Sequence, residues 1–269
     1  MAKKIDGYKS HILTDGKIVL DVAVTAANVP DGNVILDLVD AVREQGTEVS
    51  TILGDGAYGT AEIIHGLEDR GIEPMVKIIE PAGRGDFFSK GQFNIDLDAM
   101  TCTCPAGVTT GKLYSSQPKT PTKEILAEAF VIAHLPTEST EGTQEEQPHL
   151  TQFFKFPTKD CLTCPISSQC TSAKTGRTVR LHHDEKLIQE TREFQSTDEF
   201  KELYPCRSWV ERVNSELVRH GGRVGRYMGW VKHLFQQEIV AAAHNLAFMA
   251  RHLAEPTREE PKGPLCPVS

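Results

Sequence analysis

Residues 81–180 interrupt a chain that is otherwise regularly patterned, and this break constrains the fold more than any other feature of the sequence. Before it, apolar residues alternate or recur at helical spacing; after it, helical periodicity returns. Within it Gly, Pro, Thr and Ser rise, apolar runs shorten, and five of the seven cysteines appear. Such a stretch does not continue a sheet begun upstream. It reads as an insertion with a small fold of its own, around which the flanking segments complete one core. The expected boundaries are 4–80 for the first part of the core, 81–183 for the cysteine-bearing insertion, 184–253 for its helical completion and 254–269 for a disordered tail rich in Pro and Glu. Thr137–Pro148, with four Glu and no apolar residue, is expected to be a mobile loop.

The first eighty residues predict an α/β unit. Tyr8–Thr14 reads as a short strand, Asp15-Gly16 as a hairpin turn and Lys17–Thr25 as a second, alternating strand. Asn28, Pro30 and Asp31 open a helix in which Val34, Ile35, Leu38, Val39 and Val42 share a face. Val49–Leu53 is a short apolar strand, a second helix spans about Thr60 to Arg70, and Ile72–Ile79 is a further strand. Together these predict one mixed sheet. Downstream, Phe153, Phe154 and Phe156 mark an edge or small-sheet strand, and a helix around Arg207–His220 precedes a long helix from Trp230 to Leu253. On that last helix Ile239, Ala242, Ala243, Leu246 and Ala250 fall on one face.

Charge and cysteine usage narrow the possibilities. The chain of 269 residues has a net charge of −8, which argues against coating nucleic acid by bulk electrostatics. From Tyr204 to Leu253, however, seven Lys/Arg stand against three Glu, so a local basic surface is available. No apolar run is long enough to span a membrane, since His244 and Asn245 break the nearest candidate, and the first residues lack the apolar core of a secretory signal. Three cysteines within ten residues then point to metal binding in a reducing cytoplasm rather than to a disulfide framework.

Two carboxylates stand out. Asp55 follows a buried strand and lies between Gly54 and Gly56, where a rigid strand end presents a side chain to a ligand. The plainer reading is a turn aspartate satisfying loop amides ahead of the helix at Thr60. Glu211 lies four residues after Arg207, which gives either a surface ion pair or a metal-binding carboxylate beside a phosphate-binding guanidinium.

In order along the chain, Gly7-Tyr8-Lys9, Thr25-x-x-Asn28-x-x-Asp31, Leu53-Gly54-Asp55-x-x-Tyr58-Gly59 and Tyr204-x-x-Arg207-x-x-x-Glu211 form a set that resembles the DDE transposases of bacterial insertion sequences. The similarity is to the branch with a cysteine-bearing insertion between the second Asp and the Glu, and it runs from about Lys4 to Leu253. It implies an α/β, RNase H-like mixed sheet with flanking helices. It also implies two Mg²⁺ ions held by carboxylates for phosphodiester hydrolysis and strand transfer on DNA. On this resemblance Asp55 is the second acid and Glu211 the third, Arg207 positions a DNA phosphate, and Tyr204 shapes that face. Partners would be insertion-sequence ends and target DNA, with a homodimer or a mixed assembly with full-length transposase.

The family's first Asp lies on a strand before the Gly-Tyr-Lys segment, and Asp6, at the start of the following strand, is a poor substitute for it. The chain is therefore expected to be the C-terminal part of a transposase, inactive or nearly so alone. The alternative is a non-catalytic DNA-binding or transposase-interacting remnant, and a third reading is a metal-dependent nuclease. Where the family has a basic residue seven positions after the Glu, this chain has Val218, and Arg219 is turned well away from the Glu211 stripe. Arg212, Arg219, Arg223, Arg226 and Lys232 are expected to form a general phosphate-contacting surface.

The cysteines make a third constellation. Cys161-x-x-Cys164 and Cys170 offer three thiolates with spacing suited to tetrahedral zinc; Cys104 is the expected fourth and Cys102 a competitor. Unmetallated thiols and an iron–sulfur cluster are the alternatives. The pair His182-His183 is read as structural or surface.

Overall fold

The computed structural model describes residues 7–80, 83, 85–116 and 151–254. The expected mobile loop and all but the first residue of the expected tail lie outside the described residues. Those described form two compact units, 7–77 with 192–254 and 78–116 with 151–191. Among them no helix is long and apolar enough to cross a membrane.

The first unit opens with β1 (Tyr8–Thr14) antiparallel to β2 (Val19–Ala26). The connection is longer than the two-residue hairpin expected from Asp15-Gly16: the Asp15 carboxylate accepts the N–H groups of both Lys17 and Ile18 at 2.8 Å, so these residues belong to the turn. Gly16 adopts φ +89°, and a Cβ there would stand 2.5 Å from the Trp209 ring, so glycine is required twice over. A single 3₁₀ turn, Asp31–Val34, leads into α1 (Ile35–Glu44). β3 (Thr51–Gly54) follows, then α2 (Ala61–Glu68), N-capped by the Thr60 hydroxyl, and β4 (Glu73–Val76). Ile35, Leu38, Val39 and Val42 of α1 meet Leu13, Ile52, Ile63 and Leu67 in one core. Each fully buried side chain of this size contributes about 1.5–3 kcal/mol.

The expected single mixed sheet is not what the hydrogen bonds describe. β1 and β2 form one antiparallel ladder and β3 and β4 a separate parallel one, with no ladder joining them among the described residues. The two pairs share the apolar core without sharing an edge. Short β3 and β4, at four residues each, match the crossover through α2 but leave few groups for a further ladder.

The second unit contains two small sheets. β5 (Asn94–Asp96), β6 (Thr101–Thr103) and β7 (Thr109–Thr110) form one. β8 (Leu113–Ser116) and β9 (Thr151–Lys155) join β10 (Thr178–Arg180) in the other, with β9 central rather than at the edge. A short α3 (Thr158–Leu162) precedes the cysteine-rich loop. The core is modest: Phe93, Ile95, Cys102, Phe154, Phe156 and Val179. Glu185, at the start of α4 (Glu185–Ser196), is buried yet satisfied, accepting from the Lys90 ammonium and from the His182 N–H.

The first unit resumes with α5 (Asp198–Leu203), a 3₁₀ segment at Tyr204–Ser208, α6 (Trp209–Arg219) and α7 (Trp230–Ala254). Val213 and Leu217 of α6 and Val240 and Ala241 of α7 bury against Val19 and Val22.

The apolar stripe of α7 is not its buried face. Ile239, Ala242, Leu246 and Ala250 are exposed and Ala243 half-buried, whereas His233, Gln236, Gln237, Val240, Ala241 and His244 point inward. The reason lies in what α7 covers. Gln236 donates to the carbonyls of Gly221 and Val224 and accepts from the Arg226 N–H, while Gln237 donates to Gly222. His244 Nε2 donates to the Lys17 carbonyl, Trp230 Nε1 to Val24, and Asn245 engages both backbone groups of Val19. A helix laid on a loop and a strand edge must bring hydrogen-bonding side chains, because buried backbone groups need partners. A bulge makes this possible: Leu13 pairs with Asp21 but Thr14 with Val19, so the extra residue Leu20 reverses strand parity and turns Val19 and Val24 to the same edge.

Candidate catalytic site and cysteine-lined cavity

Asp55 leaves the C-terminal end of β3. Its carboxylate accepts the Ala57 N–H at 2.8 Å and its carbonyl the Tyr58 N–H at 3.1 Å, so it does serve as a turn aspartate. The side chain is exposed, and its second oxygen has no partner among the described residues. Gly54 is needed beside it, because a Cβ would come within 3.0 Å of Tyr58 and 3.1 Å of Val76. Burial raises the Tyr58 hydroxyl above its ordinary value, and the negative charges of Asp31 and Asp55 add to that shift. Asp31 is in turn held by Lys9, whose ammonium reaches its carboxylate at 2.8 Å and the Val29 carbonyl at 2.9 Å.

Glu211 arrives from the far end of the sequence. It sits in the first turn of α6, and Arg207 belongs to the preceding 3₁₀ segment, yet Arg207 Nη2 still donates to Glu211 Oε1 at 3.2 Å. Burial of Val213 and Leu217 turns Glu211 outward, where it is 65% exposed. Tyr204 fastens this segment to the strand end: its hydroxyl donates to the Gly54 carbonyl at 3.2 Å, one residue before Asp55. The ring stacks on Phe200 with centroids 4.7 Å apart. The Lys77 ammonium lies 4.5 Å from the Tyr204 centroid and the Arg207 guanidinium 5.9 Å. Burial raises the Tyr204 hydroxyl, Arg207 opposes the shift, and the charge of Asp55 adds to it.

At the end of β3, Asp55 and Tyr58 therefore stand beside Tyr204, whose ring carries the Lys77 ammonium and the Arg207 guanidinium, and Arg207 in turn holds Glu211. Hard oxygen donors of this kind suit a divalent cation, and the adjacent cations suit a phosphate. Sequence reasoning missed Lys77 and the Lys9–Asp31 pair. Lys9 and Asp31 each lie in a quoted motif, but nothing in a linear pattern says that they meet. Of the expected basic surface, Arg212, Arg223, Arg226 and Lys232 are exposed, while Arg219 is engaged by Glu216 at 2.6 Å.

In the second unit, Cys104, Cys161, Cys164 and Cys170 line one cavity together with Phe88 and Arg177. None of the four forms a disulfide. Burial raises the Cys170 thiol, Arg177 opposes this, and the other three thiols contribute to it. Cys102 faces away, fully buried in the core. Among the described residues, the group whose potential ligand atoms all lie within 4.8 Å of one another is His182–His183–Asp184, not the thiols.

Residues 133–250 match the family model for the transposase DDE domain. The match covers somewhat under half of the chain and includes Tyr204, Arg207 and Glu211 but not Asp55. It supports a DDE transposase as the class to which this α/β protein is similar, a class whose members act on DNA with divalent metal ions. Comparisons with curated proteins and with solved structures each found no match.

Proposed function

We propose that this chain is an insertion-sequence DDE transposase with an RNase H-like core, working on DNA in the cytoplasm. In this reading Asp55 and Glu211 are two of the carboxylates that hold Mg²⁺. The observation that carries it is the Tyr204–Gly54 hydrogen bond, which brings the Glu211 segment, inside the matched region, to the strand end that bears Asp55.

When bound, Mg²⁺ would supply Lewis acidity for phosphodiester hydrolysis and strand transfer. The donor set fits such an ion: among the described residues Asp55 has one carboxylate oxygen uncommitted, and the Glu211 carboxylate is engaged only by Arg207. Arg207 would exchange its 3.2 Å contact with Glu211 for a DNA phosphate oxygen, using its fork of N–H donors. Tyr204 holds the strand end in place from below, and Lys77 on its ring keeps positive charge beside the phosphate path. Arg212, Arg219, Arg223, Arg226 and Lys232 would carry flanking DNA through phosphate contacts. Two carboxylates do not by themselves complete the ligands of a two-ion site, so turnover in this reading needs a further donor. A homodimer or a mixed assembly with full-length transposase is the corresponding partner state.

Iron-directed scission tests the metal placement without relying on turnover. With Fe²⁺ in place of Mg²⁺, ascorbate and peroxide should cut the backbone near residues 55 and 211, and both cuts should fade in Asp55→Asn and in Glu211→Gln. Cuts elsewhere, or cuts unaffected by these variants, would overturn the reading. DNA binding without site-directed scission would favour a non-catalytic remnant.

A further inference from the structure

We propose that Cys104, Cys161, Cys164 and Cys170 bind one zinc ion that staples the second unit, independently of any chemistry at Asp55 and Glu211. The backbone brings three of them round one loop by successive turns. The Cys161 carbonyl accepts the Cys164 N–H at 3.4 Å, the Cys164 carbonyl accepts the Ser167 N–H at 3.1 Å, and the Ser167 carbonyl accepts the Cys170 N–H at 3.0 Å. The fourth comes from a separate turn: the Cys104 N–H donates to Val108 at 2.9 Å, its carbonyl accepts from Gly107 at 2.8 Å, and Gly107 has φ +83°. All four thiols then border the same cavity. Cys102, inside β6 and fully buried in the core, does not.

Arg177 is the second, independent observation. Its Nη1 donates to the Cys170 carbonyl and its Nη2 to the Phe88 carbonyl, which fixes the guanidinium at the cavity wall. Its Nε, buried, has no acceptor among the described residues. The guanidinium also lies 5.2 Å from the Phe93 centroid, and a buried donor left over on a permanent cation at this wall favours an anionic ligand in the cavity. A zinc tetrathiolate is one. Binding follows Zn²⁺ + 4 Cys–SH → [Zn(Cys–S)₄]²⁻ + 4 H⁺, with the protons released to solvent and one positive charge of Arg177 left against the dianion. Zinc suits four soft sulfur ligands with tetrahedral geometry.

The sulfurs stand round the cavity rather than on a closed tetrahedron, since no three of them lie mutually within 4.8 Å. Closing a tetrahedron on the ion therefore requires thiol rotation between staggered wells and adjustment of the loop. The unit has reason to need this: its strands are two to five residues long and its core holds six buried residues, so a metal supplies cross-linking that packing does not. The His182–His183–Asp184 group is explained without an ion, because the Asp184 N–H donates to His182 Nδ1 at 3.1 Å and the Asp184 carboxylate meets His183 at 2.6 Å.

The test is metal analysis of the full chain purified without chelator. About one equivalent of zinc is expected. Replacement by Co²⁺ should give the red-region bands and near-ultraviolet sulfur-to-metal charge transfer of a tetrahedral thiolate site. Cys161→Ser with Cys164→Ser should abolish both, while Cys102→Ser and His182→Ala with His183→Ala should keep them. If the serine variants fail to fold, the cobalt spectrum of the unaltered chain still decides. Zinc below about half an equivalent, cobalt bound without charge transfer, iron with sulfide in its place, or loss of metal in the histidine variant alone would overturn the proposal.

Discussion

Asn245 spans both backbone groups of Val19, accepting its N–H at 2.9 Å and donating to its carbonyl at 2.8 Å. One side-chain amide here does what a paired strand would do for the edge of β2. Asn245→Ala leaves two partly buried backbone groups unmatched, and it should lower stability by about 1–3 kcal/mol. Leu246→Ala, one residue on but 67% exposed, should stay within about 0.5 kcal/mol of the parent. Urea unfolding of the two variants checks the contrast, and the reverse order would refute the outward placement of the apolar stripe.

That contrast marks how far the sequence could be read. Where a helix buries a simple apolar face on a core, as α1 does through Leu38, Val39 and Val42, periodicity suffices, and the Thr60 cap announces α2 in the same local way. On α7 periodicity misleads, because the buried side meets backbone carbonyls and therefore carries Gln236, Gln237, His244 and Asn245. The candidate site divides likewise. Arg207 and Glu211 are near in sequence, and their pairing could be anticipated. The 150-residue span from Gly54 to Tyr204, and the meeting of Lys9 with Asp31, depend on tertiary packing that no local pattern encodes.

Two histidines make the first unit sensitive to acid. Burial holds His11 below its ordinary 6.5, with Lys9 acting in the same direction and Asp31 against it, and burial alone lowers His233. The unfolded chain therefore binds more protons between the depressed folded values and 6.5. Stability should be full above that pH, begin to fall as the pH drops below it, and go on falling until the folded values are reached. Denaturation midpoints across this range check the slope, which should flatten in His11→Gln combined with His233→Gln.

Tyr204→Phe removes the hydroxyl but keeps the ring that stacks on Phe200 and lies under Lys77. The lost hydrogen bond to Gly54 should lower stability by about 0.5–1.5 kcal/mol, whereas Tyr204→Ala should cost about 3–5 kcal/mol, judged by loss of a large aromatic. If the hydroxyl also sets the distance between the two acids, Tyr204→Phe should weaken iron-directed scission at 55 and 211 more than its stability change explains. Equal scission in parent and variant would assign the hydrogen bond to folding only.

Within the second unit, Glu185 is 3% exposed and neutralises Lys90 while accepting the His182 N–H. Glu185→Ala strands a half-buried ammonium, and it should destabilise that unit by about 3 kcal/mol. Limited proteolysis should then cut within 78–116 and 151–191 before the first unit is attacked. Glu185→Gln should show a smaller effect, since it still accepts from His182.

The basic surface makes a prediction about salt rather than affinity alone. Each phosphate neutralised by a Lys or Arg releases counterions, so log affinity falls linearly with log salt, and each lost contact lowers the slope by about one. Arg223→Ala and Lys232→Ala remove exposed cations and should each reduce the slope by about that amount, with equal weakening on any DNA sequence. Arg219 is already neutralised by Glu216 at 2.6 Å, so Arg219→Ala should change the slope by less. Gel-shift titrations of the full chain at several salt concentrations give these slopes directly. Slopes unchanged in all three variants would remove the end of α6, the loop after it and the start of α7 from the DNA-binding face.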